Sequence, residues 1–249
     1  MLPIFLKPIH TANFLRLGSK FDGGYVTELS SFKNCDLLIS FGISDNWDFE
    51  KSFIKAKKKI IAVDNRLDFL FLFKKFIKSF FFNIKLIIPY LYKIFDYCTI
   101  ILNKSAFIEK KIVSNFISNN MTSLPALMKK YKISSKKIFL KIDIEGFEYR
   151  IFDDILKYKD HFLGLVIELH DIDLHYDRIK SFIDKFNLKL VYIHANNRGY
   201  INKENIPTVV ELTFSKFYLE KKDCEFKPNK KFESPNNPNF DDIELKFFK

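Results

Sequence analysis

The sequence predicts an α/β protein built on one mostly parallel sheet of seven strands flanked by helices. Six short apolar runs rich in β-branched residues alternate with helical patterns, which is typical of parallel strands joined by helical crossovers. A seventh run, 208–217, follows a loop with too few helix-forming residues for a crossover, so we expect it to be antiparallel. The first six strands are predicted at 36–41, 59–63, 106–113, 138–143, 163–170 and 188–194, and helices at 48–56, 123–131, 148–158 and 178–186.

The length and the cysteines indicate one domain in a reducing compartment. The 249 residues suit a single large core, which we expect over 1–220, followed by an extended tail over 221–249. Cys35, Cys98 and Cys224 are too far apart to form a disulfide framework or a zinc motif. The N-terminal MLPIFLKPIH has no sustained apolar segment, so we expect a cytoplasmic protein without a secretory signal.

The net charge of the chain would attract anionic partners, but the dispersed Lys residues are better explained as a solvated surface, and they disfavour a nucleic-acid partner. Lys and Arg number 41 against 30 Asp and Glu, a net +11, yet the positive residues are dispersed and form no basic arm. An insertion at 65–105 carries a basic amphipathic helix whose predicted apolar face consists of Phe69, Phe73, Phe76, Ile77 and Phe80. We expect this face to pack on the domain or on a second subunit, as in a homodimer, with peripheral membrane contact as the alternative.

Polar residues follow several of the predicted apolar strands. Gly42 ends the first strand, and Asp64 follows the second strand 22 residues later, a spacing that suits hydrogen bonds to a nucleoside ribose. The fourth strand ends with Lys141, Asp143 and Glu145; Glu168 and His170 end the fifth, and His194 and Asn196 end the sixth. Since alternate residues of a strand share a face, the sequence predicts a cluster suited to proton abstraction or metal binding.

Five stretches of the sequence resemble the FkbM-like family of S-adenosylmethionine-dependent methyltransferases. They are RLGSKFDGGYV (16–26), LISFGISDNWDFE (38–50), FLKIDIEGFEYRIFDDIL (139–156), VIELHDID (166–173) and VYIHANNRGY (191–200). The resemblance implies a class I methyltransferase sheet and methyl transfer to a hydroxyl of a sugar, for example a nucleotide-activated or glycan sugar in capsule or glycan biosynthesis. The first motif has Gly42 but lacks the usual second glycine near Asn46 and Trp47.

The resemblance also implies roles for individual residues. S-adenosylmethionine would be bound by Asp22, Gly23, Gly24, Tyr25, Gly42, Ser44, Asp45, Asp64, Asp143 and Glu145, with 21–26 as a lid over the cofactor. The predicted general base is His170 or His194, oriented by Glu168 or Asp143, because a neutral His can remove a hydroxyl proton near pH 7. Asn196 and Asn197 are expected substrate contacts.

Three other interpretations stay open at the level of sequence. Asp143, Glu168, His170 and Asp171 could hold a divalent ion that acidifies the acceptor hydroxyl. An NAD-dependent oxidoreductase would share Gly42 and Asp64, although it should show a fuller glycine fingerprint. A non-catalytic membrane-binding or polyanion-binding module would explain the charge and the insertion but not the polar strand ends.

For a methyltransferase acting on an activated sugar, the net charge further predicts that Lys or Arg would hold the diphosphate of that sugar.

Overall fold

A seven-stranded sheet forms the centre of the molecule. The computed structural model describes residues 1–66, 68–220, 226, 228–229 and 231–248. The strands of the central sheet are β1 (Leu37–Phe41), β2 (Lys59–Val63), β3 (Ala106–Glu109), β4 (Ile138–Ile142), β5 (Phe162–Leu169), β6 (Lys189–Ala195) and β7 (Val210–Ser215).

The order of the strands defines the fold class. Across the sheet the strands lie β6-β7-β5-β4-β1-β2-β3, and β7 is antiparallel to both of its neighbours while the other pairs are parallel. The chain runs outward from β1 to β3 and then returns to β4 on the other side of β1, which creates a switch point between β1 and β4. This is the order of the class I methyltransferase sheet, so the predicted fold class is confirmed.

Each face of the sheet is covered by its own buried apolar cluster. Alternate residues of a strand point to opposite faces, and accordingly Leu37 and Ile39 belong to one cluster while Leu38 belongs to the other. Because both faces are covered, the strands are apolar over nearly their whole length. The buried polar residues of these strands depart from this pattern; they are Ser40, Glu109, Lys141, Glu168, His194, Glu211, Thr213 and Ser215.

In the described part of the chain, seven α-helices surround the sheet. They are α1 (Leu29–Asn34), α2 (Asp48–Lys55), α3 (Phe69–Phe82), α4 (Ile87–Ile101), α5 (Leu124–Lys130), α6 (Phe152–Lys157) and α7 (Tyr176–Lys185). Short 3₁₀ turns lie at Ile4–Leu6, Ile84–Leu86, Glu148–Ile151, Lys159–His161 and Ile172–Leu174. The helix predicted at 148–158 thus begins as a 3₁₀ turn, in which Glu148 bonds the preceding loop.

The strand predicted at 106–113 ends earlier than expected. The chain leaves the central sheet after Glu109, and Ile112–Val113 pairs instead with Met121–Thr122 in a separate two-stranded ladder. Two further short pairs join Leu2–Pro3 to Phe247–Phe248 and His10–Thr11 to Leu219–Glu220.

The insertion forms a helical hairpin of α3 and α4. The domain buries Leu72 and Ser79 of α3, whereas Phe69, Phe73, Ile77 and Phe80 stay exposed. The expectation that the domain covers this apolar face is therefore wrong. α3 buries different residues from those predicted, because it packs against α4 and pairs with the loop after β1. Within the described residues, no helix is both long and apolar enough to cross a membrane.

The segment predicted as a lid forms part of a β-hairpin. Phe14–Gly18 pairs antiparallel with Gly24–Glu28, and the second strand is buried throughout. Tyr25 packs edge-on against Phe49. A side chain fixed in this way offers no free aromatic face to a cofactor, so Tyr25 does not act as a lid.

The described part of the C-terminal tail packs against β6 and β7. Tyr192 donates a hydrogen bond to Glu233 over 2.6 Å, and Asn236 donates one to Glu211 over 2.7 Å. Residues 221–225, 227, 230 and 249 of the predicted tail lie outside the described residues. The division into a domain at 1–220 and a tail at 221–249 stays a prediction.

Candidate active site

Two adjoining cavities lie at the carboxyl ends of the central strands. Each has a volume of about 330 Å³, within the range of ligand pockets, about 300 to 1,000 Å³. The first, the donor cavity, lies beyond β1 and β2 and is lined by Gly42, Asp64, Asn65, Arg66, Lys111, Ile112, Val113 and Phe147, among others. The second, the acceptor cavity, lies beyond β4, β5 and β6 and is lined by Asp22, Gly23, Glu50, Lys141, Glu168, His170, Asn196 and Arg198, among others.

The two cavities share a wall. Ile43, Ser44, Asp143 and Glu145 line both of them. This wall lies at the switch point between β1 and β4, where open α/β sheets bind ligands. A ligand in one cavity would therefore meet a ligand in the other across these four residues.

Gly42 allows the loops after β1 and β4 to approach closely. Its φ is +75°, and a Cβ there would lie only 1.5 Å from the carbonyl oxygen of Asp143. Ser44 and Glu145 also have positive φ, although neither is glycine. Such conformations cost free energy and tend to cluster at functional sites, so the shared wall is held in place by the surrounding fold.

Asp64 lies at the end of β2 and organises the donor cavity. Its Oδ2 accepts hydrogen bonds from the backbone amides of Ile43 and Ser44, each over 2.7 Å, and its Oδ1 accepts one from the backbone amide of Arg66 over 2.6 Å. Each carboxylate oxygen can accept more than one hydrogen bond. Asp64 can therefore hold the Gly42 loop and still accept bonds from ribose hydroxyls.

Lys141 links the ends of β1 and β4 beneath the cavities. Its buried amine donates to the carbonyl of Gly42 and lies 3.7 Å from Oδ2 of Asp143. The same Asp143 oxygen accepts a hydrogen bond from Tyr25 over 2.9 Å. The cation of Lys141 therefore compensates the carboxylate of Asp143 and ties two neighbouring loops together.

His170 has one ring nitrogen occupied and one free. Its Nδ1 lies 3.1 Å from Oε1 of the fully buried Glu148, which also accepts bonds from the amides of Ile144 and Gly146. Its Nε2 lies 3.6 Å from Glu168 and 3.7 Å from Glu145, too far for hydrogen bonds. Burial alone would lower the pKa of His170, but the bond to Glu148 and nearby carboxylates raise it above its ordinary value.

Glu168 is buried beside His170. Its Oε1 accepts a hydrogen bond from Asn196 over 2.9 Å. Burial raises the pKa of Glu168 well above its ordinary value, and the negative charges of Asp143 and Glu211 add to the rise. A buried carboxyl with a raised pKa can hold a proton at a pH where an exposed carboxyl is ionised, so Glu168 is a second candidate for acid–base chemistry.

His194 lies outside both cavities. Its Nδ1 lies 3.3 Å from Glu211 and its Nε2 3.0 Å from Asp242 of the tail. Although burial opposes it, these two carboxylates raise the pKa of His194 to about 10. Since the ring is protonated at neutral pH and both nitrogens are engaged, we do not retain His194 as a candidate base.

Three more of the predicted site residues have structural partners. Asn197 donates to carbonyls of the tail at Asn237 and Phe240 and lines neither cavity. Asp45 lines the acceptor cavity, but its carboxylate is paired with Lys75 and Lys93. Gly24 lies in the β-hairpin, outside both cavities.

A divalent ion would fit only part of the predicted ligand set. Ligand atoms of Asp143, Glu168 and His170 lie within 4.8 Å of one another, whereas Asp171 is not part of this group. The bond between Glu148 and His170 resembles the carboxylate–histidine pairs behind many metal ligands. These three residues could hold an ion, and the same arrangement also suits a metal-free base.

The sequence assigned no individual role to four residues that line or support the acceptor cavity, namely Glu50, Lys141, Glu148 and Arg198. Glu50 and Glu148 lie near helix starts, where nothing in the local pattern distinguishes them from ordinary helix residues. Arg198 follows Asn196 and Asn197 directly and pairs with Asp22 over 3.1 Å.

The sheet order and the paired cavities at its switch point are those of the class I methyltransferase fold. The family described as methyltransferase FkbM domain matches residues 101–202, and this confirms the family resemblance found in the sequence. The match covers less than half of the chain but includes β4, β5 and β6, which carry most of the acceptor cavity. Together, the family match and the fold support methyl transfer from S-adenosylmethionine.

Solved structures add only distant similarity of fold. The chain is 11% identical to Methanococcus jannaschii fibrillarin, a pre-rRNA processing protein, with a TM-score of 0.39 over 76% of this chain and 69% of that one. It is 12% identical to a chain of a fibrillarin/Nop5p complex, with a TM-score of 0.37 over 85% of this chain and 95% of that one. At this level neither structure informs the activity. No curated protein sequence matches the chain.

Proposed function

We propose that this protein transfers a methyl group from S-adenosylmethionine to a hydroxyl group of a sugar. The observation that carries the proposal is the pair of cavities that share the wall formed by Ile43, Ser44, Asp143 and Glu145. Methyl transfer needs a donor and an acceptor in adjoining sites, aligned and shielded from water. A shared wall at the switch point of the sheet meets this requirement.

The donor cavity suits S-adenosylmethionine. Asp64 would accept bonds from the ribose hydroxyls, and the apolar side chains of Ile112 and Val113 would flank the adenine. Asp143 and Glu145 lie at the shared wall, where their negative charge complements a sulfonium. S-adenosylmethionine, when bound, supplies an electrophilic methyl group.

The acceptor cavity suits a neutral, hydroxyl-rich molecule. Carboxylates accept hydrogen bonds from hydroxyls, while Asn196 and Arg198 can donate to them. Its lining holds six carboxylate residues, Asp22, Asp45, Glu50, Asp143, Glu145 and Glu168, against the two basic residues Lys141 and Arg198. Lys141 already bonds the carbonyl of Gly42 and Arg198 pairs with Asp22, so the cavity offers few free cationic donors to a diphosphate, and the phosphates of an activated sugar would lie outside it.

His170 is our proposed general base. Nδ1 is held by Glu148, which leaves Nε2 free to take the proton of the acceptor hydroxyl as its oxygen attacks. Glu168 and Asn196, bonded to each other, would orient that hydroxyl. Glu148 is a positioning residue, because it acts on the substrate only through His170.

Calorimetric titration with S-adenosylhomocysteine and, separately, with NAD tests the cofactor. We expect S-adenosylhomocysteine to bind and NAD not to bind. Asp64→Ala should weaken the binding about 10- to 100-fold, the value of one or two bonds to a charged group. The control is Asp36→Ala, an exposed Asp next to the opposite end of β1. Binding of NAD alone would make the protein an oxidoreductase.

The acceptor is tested next, with transfer of labelled methyl groups to a panel of free, lipid-linked and nucleotide-linked sugars. We expect the KM for the sugar acceptor to change little with salt concentration, because the phosphates would lie outside the acceptor cavity. Methylation of amines or of nucleic acid, with no sugar accepted, would overturn the proposed acceptor while leaving the cofactor result intact.

A further inference from the structure

The α3–α4 hairpin ends in a cluster of exposed apolar side chains. We call this cluster the hairpin tip; it consists of Phe80, Phe81, Phe82, Ile84, Leu86 and Ile88. Phe81 is 81% exposed, Phe82 83% and Ile84 74%. Single exposed apolar residues are normal on a protein surface, but a contiguous group of this size marks a site of interaction.

The base of the hairpin is fixed to the domain, so the tip has a defined position. Lys75 of α3 and Lys93 of α4 pair with Asp45 over 3.1 and 3.0 Å, and Asp96 pairs with Lys51 over 2.7 Å. These contacts join both helices to the loop after β1 and to α2. The exposure of the tip is therefore a feature of the packed hairpin.

Positive charges accompany the apolar tip. Lys74, Lys78 and Lys85 are exposed, and none of them pairs with an acidic side chain within the described ranges. Long Lys side chains can lie along an apolar surface and place their ammonium groups among lipid headgroups. Apolar side chains with Lys around them are the pattern of segments that lie in an anionic membrane interface.

Charge also argues against a second copy of this chain as the partner. In a two-fold symmetric dimer through the tip, the same surface meets itself. Lys78 and Lys85 of each copy would then approach those of the other, with no carboxylate within residues 74–95 to compensate them. An anionic bilayer supplies the opposite charge and an apolar interior at once.

We propose that the hairpin tip binds this protein to the surface of an anionic lipid bilayer. Phe81, Phe82 and Ile84 enter the acyl boundary, while Lys78 and Lys85 contact the headgroups. The inference does not depend on which acceptor is methylated.

Co-sedimentation of the full chain with vesicles tests this inference. We use vesicles of phosphatidylcholine alone and vesicles in which about one third is phosphatidylglycerol. The protein should bind the anionic vesicles and bind the neutral ones at least about tenfold more weakly. Phe81→Ser with Phe82→Ser should lower binding to anionic vesicles at least about tenfold. Lys78→Glu with Lys85→Glu should lower it by a similar factor.

The control variants change exposed residues of the same chemical types elsewhere on the surface. Ile9→Ser with Phe240→Ser removes two exposed apolar side chains, and Lys136→Glu with Lys203→Glu reverses two exposed charges. Both controls should bind vesicles like the unmodified protein. All variants should keep their circular dichroism and their affinity for S-adenosylhomocysteine.

Two results would overturn the inference. One is that the unmodified protein binds neither kind of vesicle, or binds both equally well. The other is a dimer in light scattering that Phe81→Ser with Phe82→Ser converts to a monomer, since the tip would then be a protein interface.

Discussion

At the scale of single residues, the acceptor cavity depends on how one histidine is held. Glu148 is fully buried and fixes Nδ1 of His170, while Nε2 faces Glu145 and Glu168 without bonding either. The bond to Glu148 and the nearby carboxylates raise the pKa of His170 against the effect of burial, so the ring gains its neutral, basic form at a higher pH than an unperturbed histidine does. This has a direct consequence for the pH dependence of the reaction.

We expect kcat to rise with pH through a midpoint above 6.5, because the base acts only when deprotonated. His170→Ala should lower kcat about 10²- to 10⁴-fold and leave the affinity for S-adenosylhomocysteine nearly unchanged. Glu148→Gln should move the midpoint to lower pH, since it removes the negative partner. The pH profile of methyl transfer measures kcat and the two midpoints, and calorimetric titration measures the affinity for S-adenosylhomocysteine.

His161→Ala is the control, because His161 lies in the turn before β5, away from the carboxyl ends of the strands. If His170→Ala kept the rising limb with a high kcat, Glu168 would become the base. Its raised pKa allows that role.

A metal at Asp143, Glu168 and His170 gives a different prediction. If His170 is a free base, treatment with EDTA should leave kcat unchanged. Loss of activity that Mg²⁺ restores would show instead that the three residues act as ligands. Binding of Mn²⁺, followed by electron paramagnetic resonance, gives a readout that does not rely on turnover.

At the scale of elements, the site depends on the close approach of the loops after β1 and β4. Gly42 has no Cβ, and this lets the carbonyl of Asp143 lie against it. Lys141 reinforces the approach from below through the carbonyl of Gly42. The shared wall between the cavities is therefore a product of two neighbouring strands and not of one motif.

Gly42→Ala should destabilise the protein by about 3 kcal/mol or more, because a strained φ and a backbone clash add together. The matched variant is Gly146→Ala, where φ is +94° but a Cβ would meet nothing within 4 Å. It should cost only about 1–2 kcal/mol. Urea unfolding measures both, and equal losses would show that the clash at Gly42 is relieved by movement of the loop.

At the scale of the whole molecule, the end of the chain returns to pair with its start and to contact the edge of the central sheet. Phe247–Phe248 pairs with Leu2–Pro3 near the start of the chain, and Asp242 reaches His194 on β6. His194 is buried, and its pKa of about 10 lies well above the unfolded value of 6.5. Its interactions therefore contribute stability fully below pH 6.5, and this contribution is lost as the pH rises through 10.

Asp242→Asn should lower the free energy of unfolding by about 1–2 kcal/mol near pH 7, since Asp242 is partly exposed and the pair is partly screened. It should also flatten the decline in stability between pH 6.5 and 10. The control is Asp241→Asn, an exposed neighbour whose side chain makes no such pair in the described structure. If both variants unfolded alike across this pH range, the tail would not be held through His194.

By itself, the sequence determined the fold class and most of the candidate site residues, through the periodicity of the strands and the spacing of the polar residues. These patterns indicated the seven strands, the reversed last strand and the family resemblance. They could do so because a strand buried on both faces must be a nearly continuous apolar run in the sequence. They also indicated Asp64, Asp143, Glu145, Glu168 and His170, because the carboxyl ends of parallel strands lie at one edge of a sheet.

Only the tertiary structure decided what each polar group contacts. His170 and His194 look alike in sequence, yet one opens into a cavity and the other is enclosed by Glu211 and Asp242, which lie 17 and 48 residues further along the chain. Tyr25 turned inward, and the apolar face of α3 stayed exposed. Such outcomes depend on contacts between segments distant in sequence, and local periodicity holds no information about them.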